Sequence, residues 1–318
     1  MTLLYASPRF LEHQTGVHPE SPVRLEAIAG QLEQSGLVNR CERPEWGPAT
    51  AAMLAAVHGD DYLQAVADLC RRGGGRLDAD TVASRASYDV ACLAAGAACD
   101  ATRRVLAGDE QTALCLVRPP GHHALADQAM GFCLIANVAV AAQLAIDEFG
   151  LDRVLVVDWD VHHGNGTQDV FYDDPRVAFF SAHRWPFYPG TGAAGETGHA
   201  DGLGFTRNLP VTFGTPRREY LAQFTDKLVA FAAATKPQLV LLSAGFDAHA
   251  ADPVGSLGLE TEDFAELTRV VRAVAADHAE GRLVSVLEGG YNPPVLAECV
   301  AVHLEGLLAA ATADGPSG

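Results

Sequence analysis

The sequence predicts a single α/β domain built around a mostly parallel sheet with helices on both faces. Two observations lead to this fold class. Short, nearly continuous aliphatic runs alternate along the chain with longer Ala-rich segments, and strands that are covered on both faces have this apolar character. Glycine, proline and polar residues follow each run, as expected where strands end in loops. The alternation of strand and helix indicates a parallel sheet.

Five aliphatic runs are predicted as strands because they are short and rich in Val and Leu. They are Ala113–Val117, Val154–Val157, Val177–Phe180, Leu239–Leu242 and Leu283–Leu287. Five longer segments are predicted as helices, namely Ala86–Ala107, Val138–Phe149, Arg217–Ala234, Thr261–Glu280 and Pro294–Ala311. For a run as short as Leu283–Leu287, periodicity alone leaves a buried helical segment open. The Gly-rich stretch Arg72–Arg76 is predicted as a loop.

The composition narrows the classes of partner and compartment. The formal net charge of -18 disfavours nucleic acid and anionic membranes as partners, and it is compatible with a cationic substrate. The seven cysteines contain no CxxC pair, which predicts free thiols in a reducing compartment. No apolar stretch is long enough to span a bilayer, and the polar N-terminus does not have the pattern of a signal peptide. We expect a cytoplasmic protein with one domain over residues 1–311 and a flexible tail over residues 312–318.

Chemically reactive side chains follow the predicted strands. Two histidines come after the first run, an Asp-and-His cluster after the second, Ser181 after the third, Asp247 after the fourth and Tyr291 after the fifth. In open parallel sheets, ligands bind beyond the carboxyl ends of the strands. We therefore expect these chain-distant segments to meet at one edge of the sheet and to form a single site.

The cluster after the second run has the residue types of a metal site. Asp158, Asp160 and His162 are spaced at two-residue intervals, which places them on one side of an extended chain. A catalytic zinc typically has three protein ligands and one open position, and imidazole with carboxylates also suits iron or manganese. Asp247 is a further carboxylate from another strand end; taken alone, it is better explained as a cap of the next helix.

His122, His123 and Tyr291 are candidates for proton transfer and oxyanion stabilisation. Imidazole titrates near neutrality, so a histidine can accept a proton from the attacking water and donate one to a leaving amine. Tyr291 follows two glycines, and a tyrosine hydroxyl on such a loop can polarise a carbonyl. These residue types together predict metal-assisted hydrolysis.

The motifs of the chain resemble those of the histone deacetylase family, which includes bacterial histone deacetylase-like amidohydrolases and acetylpolyamine amidohydrolases. The segments RPPGHH, GFC, DWDVHHGNGT, PGTG, SAGFDAH and EGGY occur in the family's order, and the form of SAGFDAH together with Asn165 is closer to the class II branch. The resemblance implies the arginase/deacetylase fold, a single domain with a mostly parallel eight-stranded sheet. It also implies a zinc-dependent deacetylase that hydrolyses an N-acetylated or short-acylated amine such as acetyl-lysine or an acetylpolyamine.

The resemblance also implies roles for individual residues. One zinc per chain would be held by Asp160, His162 and Asp247, and Tyr291 would stabilise the oxyanion. Asp158 would hydrogen-bond to His122, and Asn165 would face His123. Because a carboxylate raises the pKa of its imidazole partner more than a neutral amide does, we favour His123 as the neutral general base; His122 would give electrostatic help or act as the acid.

Two structural cation sites and a substrate tunnel follow from the same resemblance. A potassium or sodium ion beneath the zinc would be held by Asp158, Asp160, His162, Ser181 and Ala182. A second monovalent cation would be held by Phe171, Asp174, Val177 and Phe205. The substrate would contact Gly131, Phe132, Tyr188, Gly289 and Asp80. Tyr188 stands where Phe is more common in the family, which adds a polar tip to the aromatic wall. Arg24 would lie at an internal channel behind the metal.

Two alternatives to a deacetylase remain open. A ureohydrolase of the arginase or agmatinase type shares the fold but uses two manganese ions and more carboxylate-rich motifs, and the tandem His122-His123 and the EGGY segment argue against it. A non-catalytic acyl-amine-binding module would lack a metal ligand, a catalytic His or the Tyr, and the chain has all of them. The oligomeric state is left open, a homodimer being one alternative.

Overall fold

The computed structural model describes residues 1–309. Within them lies one eight-stranded sheet in the order β2-β1-β5-β10-β9-β6-β7-β8, and every neighbouring pair is parallel. Helices flank this sheet, as the fold class predicted. The last residues of the predicted domain and the predicted tail over residues 312–318 lie outside the described part of the chain.

The bounds of the elements place the five predicted strands in the middle of the sheet. The strands of the sheet are β1 (Thr2–Ala6), β2 (Cys41–Glu42), β5 (Thr112–Leu116), β6 (Val154–Asp158), β7 (Val177–Arg184), β8 (Thr206–Val211), β9 (Leu239–Ala244) and β10 (Leu283–Leu287). The helices are α1 (Val23–Gln34), α2 (Ala51–Ala55), α3 (Asp60–Arg71), α4 (Ser87–Ala107), α5 (Asn137–Phe149), α6 (Asn165–Val170), α7 (Arg217–Thr235), α8 (Thr261–His278) and α9 (Pro293–Leu308).

Three strands of the sheet, β1, β2 and β8, were not among the predicted strands, and two of them, β8 and β2, do not appear as continuous apolar runs. β8 contains an exposed Arg207 and a half-buried Pro210 among otherwise buried residues. It lies at one edge of the sheet, where a proline is tolerated. β2 lies at the other edge and has only two residues. Edge strands are partly exposed, so the rule that finds doubly covered strands does not find them.

The prediction of a loop over the whole Gly-rich stretch Arg72–Arg76 is wrong for its second half. Its second half forms β3 (Gly74–Arg76), which pairs antiparallel with β4 (Val82–Ser84). A side chain at position 74 would collide with the backbone of Ala83, so glycine is needed for the close approach of the two strands. This two-stranded sheet carries the loop that contains Asp80.

Four of the five predicted helices agree with the structure to within two residues at both ends, whereas the last, α9, ends at Leu308 and Ala309 is already extended. α8 ends at His278 rather than at the predicted Glu280, because Glu280 adopts a positive φ of 54° that a helix does not accommodate. The predicted end of the last helix at Ala311 lies outside the described residues. None of the helices within residues 1–309 is long and apolar enough to cross a bilayer.

The strand order brings the polar loops together. β5, β10, β9 and β6 are consecutive neighbours in the sheet, and their carboxyl ends lead into His122 and His123, Tyr291, Asp247, and the Asp158–His162 segment respectively. Because parallel strands all end at the same edge, these four loops are adjacent in space. The seven cysteines are all free thiols.

Candidate metal and catalytic site

A cluster of two carboxylates and one imidazole lies where β6 and β9 end. One ligand atom from each of Asp160, His162 and Asp247 lies within 4.8 Å of the other two, and all three residues are buried. Backbone hydrogen bonds hold the carboxylates in place: the N–H of Gly289 donates to Asp160 Oδ2 at 2.9 Å, and the N–H of Val161 donates to Asp247 Oδ1 at 2.9 Å. The cluster therefore has the ligand number and the donor types of a catalytic zinc site.

The chemistry of this cluster fits a bound cation. The second oxygen of Asp247, Oδ2, is buried and accepts no hydrogen bond within residues 1–309, although it lies 3.1 Å from His162 Nδ1. Burial, followed by the charge of Asp160, raises the pKa of Asp247 to about 7. Two buried carboxylates with an open lone pair between them need a counter-charge, and a divalent metal ion provides one. Gly289 packs so closely that a side chain there would collide with both carboxylates.

Asp158 lies outside this cluster and instead bonds to a histidine. Its Oδ2 accepts a hydrogen bond from Nδ1 of His122 at 2.9 Å, and both residues are buried. Burial by itself lowers the pKa of His122, but the charges of Asp158 and Asp160 outweigh it and raise the pKa to about 10. The bond to Asp158 therefore favours the protonated form of His122.

His123 has the opposite environment. Its Nδ1 lies 2.7 Å from Oδ1 of Asn165, so the ring donates this proton to a neutral amide. Burial and then the positive charge of the adjacent His122 hold the pKa of His123 well below its ordinary value. The two rings lie 4.0 Å apart between centroids. Neighbouring imidazoles with opposite pKa shifts are able to serve different roles in acid–base chemistry.

Glu288 holds the backbone of the loop that carries His122 and His123. No role was assigned to this residue from the sequence. Its Oε2 accepts the N–H groups of Gly121 and His122 at 2.6 and 3.2 Å, and Ser243 Oγ donates to Oε1 at 3.1 Å. Burial raises the pKa of Glu288 to about 7, although the charge of His122 opposes the rise. The position of Glu288 directly before the Gly289-Gly290 pair was the only signal in the sequence.

Tyr291 lies beside the metal cluster and is 8% exposed. Its ring contacts Phe132 edge to face, with centroids 5.6 Å apart, and the guanidinium of Arg24 lies 5.0 Å from its centroid. Burial raises the pKa of the Tyr291 hydroxyl far above its ordinary value, so this group stays protonated and can donate a hydrogen bond. Arg24 also donates to the backbone carbonyls of Glu288 and Gly290.

A buried ion network lies behind the site, and the sequence did not reveal it. Glu20 accepts hydrogen bonds from Arg118 and from Arg24, whose Nη1 lies 3.1 Å from Oε1, and its Oε2 lies 3.4 Å from His13 Nε2. All four side chains are buried. Burial favours the neutral acid, but the charge of Arg118 prevails and holds the pKa of Glu20 well below its ordinary value. In the sequence, nothing distinguishes these charged residues from residues of an exposed surface. Only their contacts in the structure show that they are buried and paired with one another.

Aromatic side chains line the approach to the metal cluster. Tyr188 lies edge to face with both His123 and His162, at 5.2 and 6.0 Å between centroids, and it is 37% exposed. Phe187, which the sequence did not single out, stacks on His162 at 5.2 Å. Gly131 adopts a positive φ of 55°, and a side chain there would collide with the ring of His123.

Phe132 and Asp80 lie on the other side of the approach. The N–H of Phe132 donates to Thr81 Oγ1 at 3.1 Å, and its ring contacts His18 edge to face at 4.6 Å. His18 Nε2 donates to the backbone carbonyl of Asp80 at 3.0 Å. Burial and then the charge of Asp80 raise the pKa of Tyr188.

The residues proposed for the two structural cations fall into two separate groups. Asp158 and Ser181 are register partners across β6 and β7, and Ala182 follows in the buried part of β7. In the second group, Phe171, Asp174 and Val177 form successive turns leading into β7, whereas Phe205 precedes β8. The carboxylate of Asp174 already accepts hydrogen bonds from the N–H and Nε of Arg176, both at 2.9 Å.

Comparison with known proteins places the chain among deacetylases. Residues 18–307 match the histone deacetylase domain family. The chain is 40% identical over 291 residues to a histone deacetylase-like amidohydrolase of Pseudomonas aeruginosa, an alignment that covers 91% of this chain and 77% of the relative. It is 42% identical over 302 residues to the polyamine deacetylase HDAC10 of Homo sapiens, covering 91% of this chain but 44% of that longer protein. The crystal structure of the HDA15 HD domain superposes with a TM-score of 0.90 at 35% identity, covering 96% of this chain and 89% of that one.

Proposed function

Because the chain belongs to the histone deacetylase family, and is thus a hydrolase of the deacetylase type, we propose that it is a zinc-dependent deacetylase. It would cleave the amide of an N-acetylated or short-acylated amine, such as acetyl-lysine or an acetylpolyamine. The observation that carries this proposal is the buried Asp160–His162–Asp247 cluster next to two histidines with opposite pKa shifts. Asp160, His162 and Asp247 would hold the zinc, which when bound polarises the acyl carbonyl and acidifies the attacking water.

The two histidines divide the proton chemistry. His123 is neutral and has a free Nε2, because its Nδ1 proton is donated to Asn165, so it accepts the proton of the attacking water. It then donates that proton to the leaving amine. His122 is already a cation through Asp158; it cannot act as the base and instead stabilises negative charge that develops beside it.

Tyr291 stabilises the oxyanion. Its hydroxyl stays protonated and lies on the loop whose Gly289 contacts both carboxylates of the metal cluster. A preorganised hydroxyl that donates to the developing oxyanion contributes about 10²–10³-fold to turnover in comparable sites. The Phe132, Phe187 and Tyr188 rings exclude water from the acyl chain, and Asp80 at the outer end favours a substrate with a cationic group.

Monovalent cations at the two groups described above would be structural. Asp158 and Ser181 are paired across β6 and β7 at the start of the segment that carries the proposed zinc ligands, so a cation there would offset the charge of Asp158. The second group lies at the amino end of β7, where a cation would brace the turns before that strand.

Turnover of a substrate panel by protein of known zinc content tests the proposal. The panel compares acetylpolyamines with acetyl-lysine and other acyl-lysine peptides. We expect Tyr291→Phe to lower kcat by about 10²–10³-fold while the zinc content stays unchanged. Tyr220→Phe is the matched control, since it removes a buried hydroxyl that has no hydrogen-bond partner within the described residues. No turnover of any acylated amine by zinc-loaded protein would refute the proposed activity.

A further inference from the structure

Asp252 is a buried acidic residue in the loop that follows β9 and carries Asp247. Its side chain is 8% exposed, and its hydrogen-bond partners are backbone N–H groups from two different loops. Oδ1 accepts the N–H groups of Val254 and Gly255, both at 2.9 Å. Oδ2 accepts the N–H of Tyr291 at 2.6 Å. One carboxylate oxygen therefore shapes its own loop, and the other holds the residue that follows β10.

The backbone before Tyr291 needs such a restraint. Gly290 adopts a φ of 122°, in a region that glycine enters freely, so the two glycines do not by themselves fix the direction of the tyrosine. The hydrogen bond to Asp252 fixes the backbone N–H of Tyr291 and thereby restrains the Cα atom that carries the tyrosine side chain. A second link in the same place comes from Asn292, whose Nδ2 donates to the carbonyl of Ala251 at 2.9 Å.

We propose that Asp252 is a positioning residue that holds Tyr291 where its hydroxyl meets the acyl oxygen. The inference rests on the oxyanion role proposed above for Tyr291. Within the described residues the Asp252 carboxylate hydrogen-bonds to backbone N–H groups and to no side chain of the metal cluster, so its effect passes through one hydrogen bond to the Tyr291 backbone. Misplacement of a catalytic group by about 1 Å lowers turnover about a hundredfold in other enzymes.

Asp252 could also affect activity through its charge, which acts on the metal ligand Asp247, rather than through its hydrogen bond to Tyr291. The charge of Asp252 also contributes to the raised pKa of Asp247, after burial and Asp160. If that charge were the important property, removal of Asp252 would change zinc binding rather than the placement of Tyr291. The two routes predict different results for zinc content, and different results when Tyr291 has already lost its hydroxyl.

Asp252→Asn is the selective variant. The amide oxygen can keep both bonds to Val254 and Gly255, and the NH2 group then faces the N–H of Tyr291, donor against donor. The reverse orientation would lose two bonds to keep one. We expect kcat to fall about 10- to 100-fold, the size expected for the loss of a hydrogen bond to a charged group, with KM and zinc content nearly unchanged.

Asp252→Glu provides a second variant that does not depend on the folding of the first. It keeps the charge but displaces the carboxylate by one methylene, so we expect a fall in kcat similar to that of Asp252→Asn.

The matched control is Asp263→Asn. Asp263 is also a buried carboxylate at the start of α8: it accepts the backbone N–H of Glu260 at 2.8 Å and pairs with Arg217. We expect lower stability and a kcat within about twofold of the parent, as for changes away from the site.

A double-mutant cycle with Tyr291→Phe tests the inference directly. If Asp252 acts through the Tyr291 hydroxyl, Asp252→Asn should lower the remaining kcat by less than about threefold in the Tyr291→Phe background. A full effect in that background, loss of zinc from Asp252→Asn, or near-normal kcat in Asp252→Asn or Asp252→Glu would overturn the inference alone. Near-normal turnover by Tyr291→Phe would overturn the proposed role of Tyr291 and this inference with it.

Discussion

Replacing Asn165 with aspartate would put a carboxylate next to the proposed general base. The Asn165 side-chain oxygen lies 2.7 Å from Nδ1 of His123, and the substitution changes a neutral acceptor into an anionic one of nearly the same shape. His123 at present has a depressed pKa because of burial and the charge of His122. An adjacent anion favours the protonated imidazole, so the pKa of His123 should rise.

The size of the effect follows from the short distance. Two unit charges about 4 Å apart interact with about 4 kcal/mol at an effective dielectric constant of about 20, which corresponds to about three pH units. The desolvation cost of the buried aspartate carboxylate cancels part of this interaction energy. We therefore expect the acid limb of kcat/KM, which reports the ionisation of the free enzyme's base, to move to higher pH by about one to three pH units.

The assay is a pH–rate profile of kcat/KM for the variant and the parent on one acetylated substrate. Asn39→Asp is the control, because it makes the same change of charge on the exposed surface of the short segment Leu37–Arg40 and should leave the limb in place. An unmoved acid limb in Asn165→Asp, with activity retained, would mean that His123 is not the group whose protonation limits the reaction.

Three further variants test the metal site, the buried ions and the tunnel wall. Asp247→Asn should weaken zinc binding by more than the 10- to 100-fold typical of changes to a ligand's hydrogen-bond partner; full zinc content by metal analysis would contradict its role as a ligand. Glu20→Gln leaves two buried guanidinium groups without their carboxylate and should lower the free energy of unfolding in urea by about 3–5 kcal/mol, so a change below about 1 kcal/mol would show that the network is not stabilising. Gly131→Ala forces a methyl group against the ring of His123 and should lower kcat at least about tenfold without loss of zinc. Gly108→Ala, which has a similar positive φ of 86° and open space around it, should affect only stability, and equal kcat losses in the two variants would remove the special role of position 131.

The central part of the fold could be predicted from the sequence because doubly covered strands have a simple signature. β6 and β9 each begin with four consecutive aliphatic residues and are buried along their whole length. β8 is interrupted by Arg207, Asn208 and a proline, so the same rule does not detect it. Its assignment depends on the register with β7, and cross-strand pairing is a long-range property that local composition does not contain.

The residues of the site were predictable as a set, but their pairing was not. Asp158, Asp160 and His162 are evenly spaced in the sequence, yet Asp158 bonds to His122 whereas the other two face Asp247. The spacing alone gave no reason for this division; the resemblance to the family did. Asp252 and Glu288 illustrate the remaining limit, because a buried acid that accepts backbone N–H groups has no sequence signature of its own.

Reconstitution of metal-free protein with zinc tests the central claim most directly. The measurement is the turnover of one acetylated amine as a function of zinc bound per chain, with acetate and free amine quantified together. We expect activity to rise with zinc up to one ion per chain, with equal amounts of acetate and amine released, and to be lost again on chelation. Full turnover without metal, or a requirement for two metal ions per chain, would contradict the account.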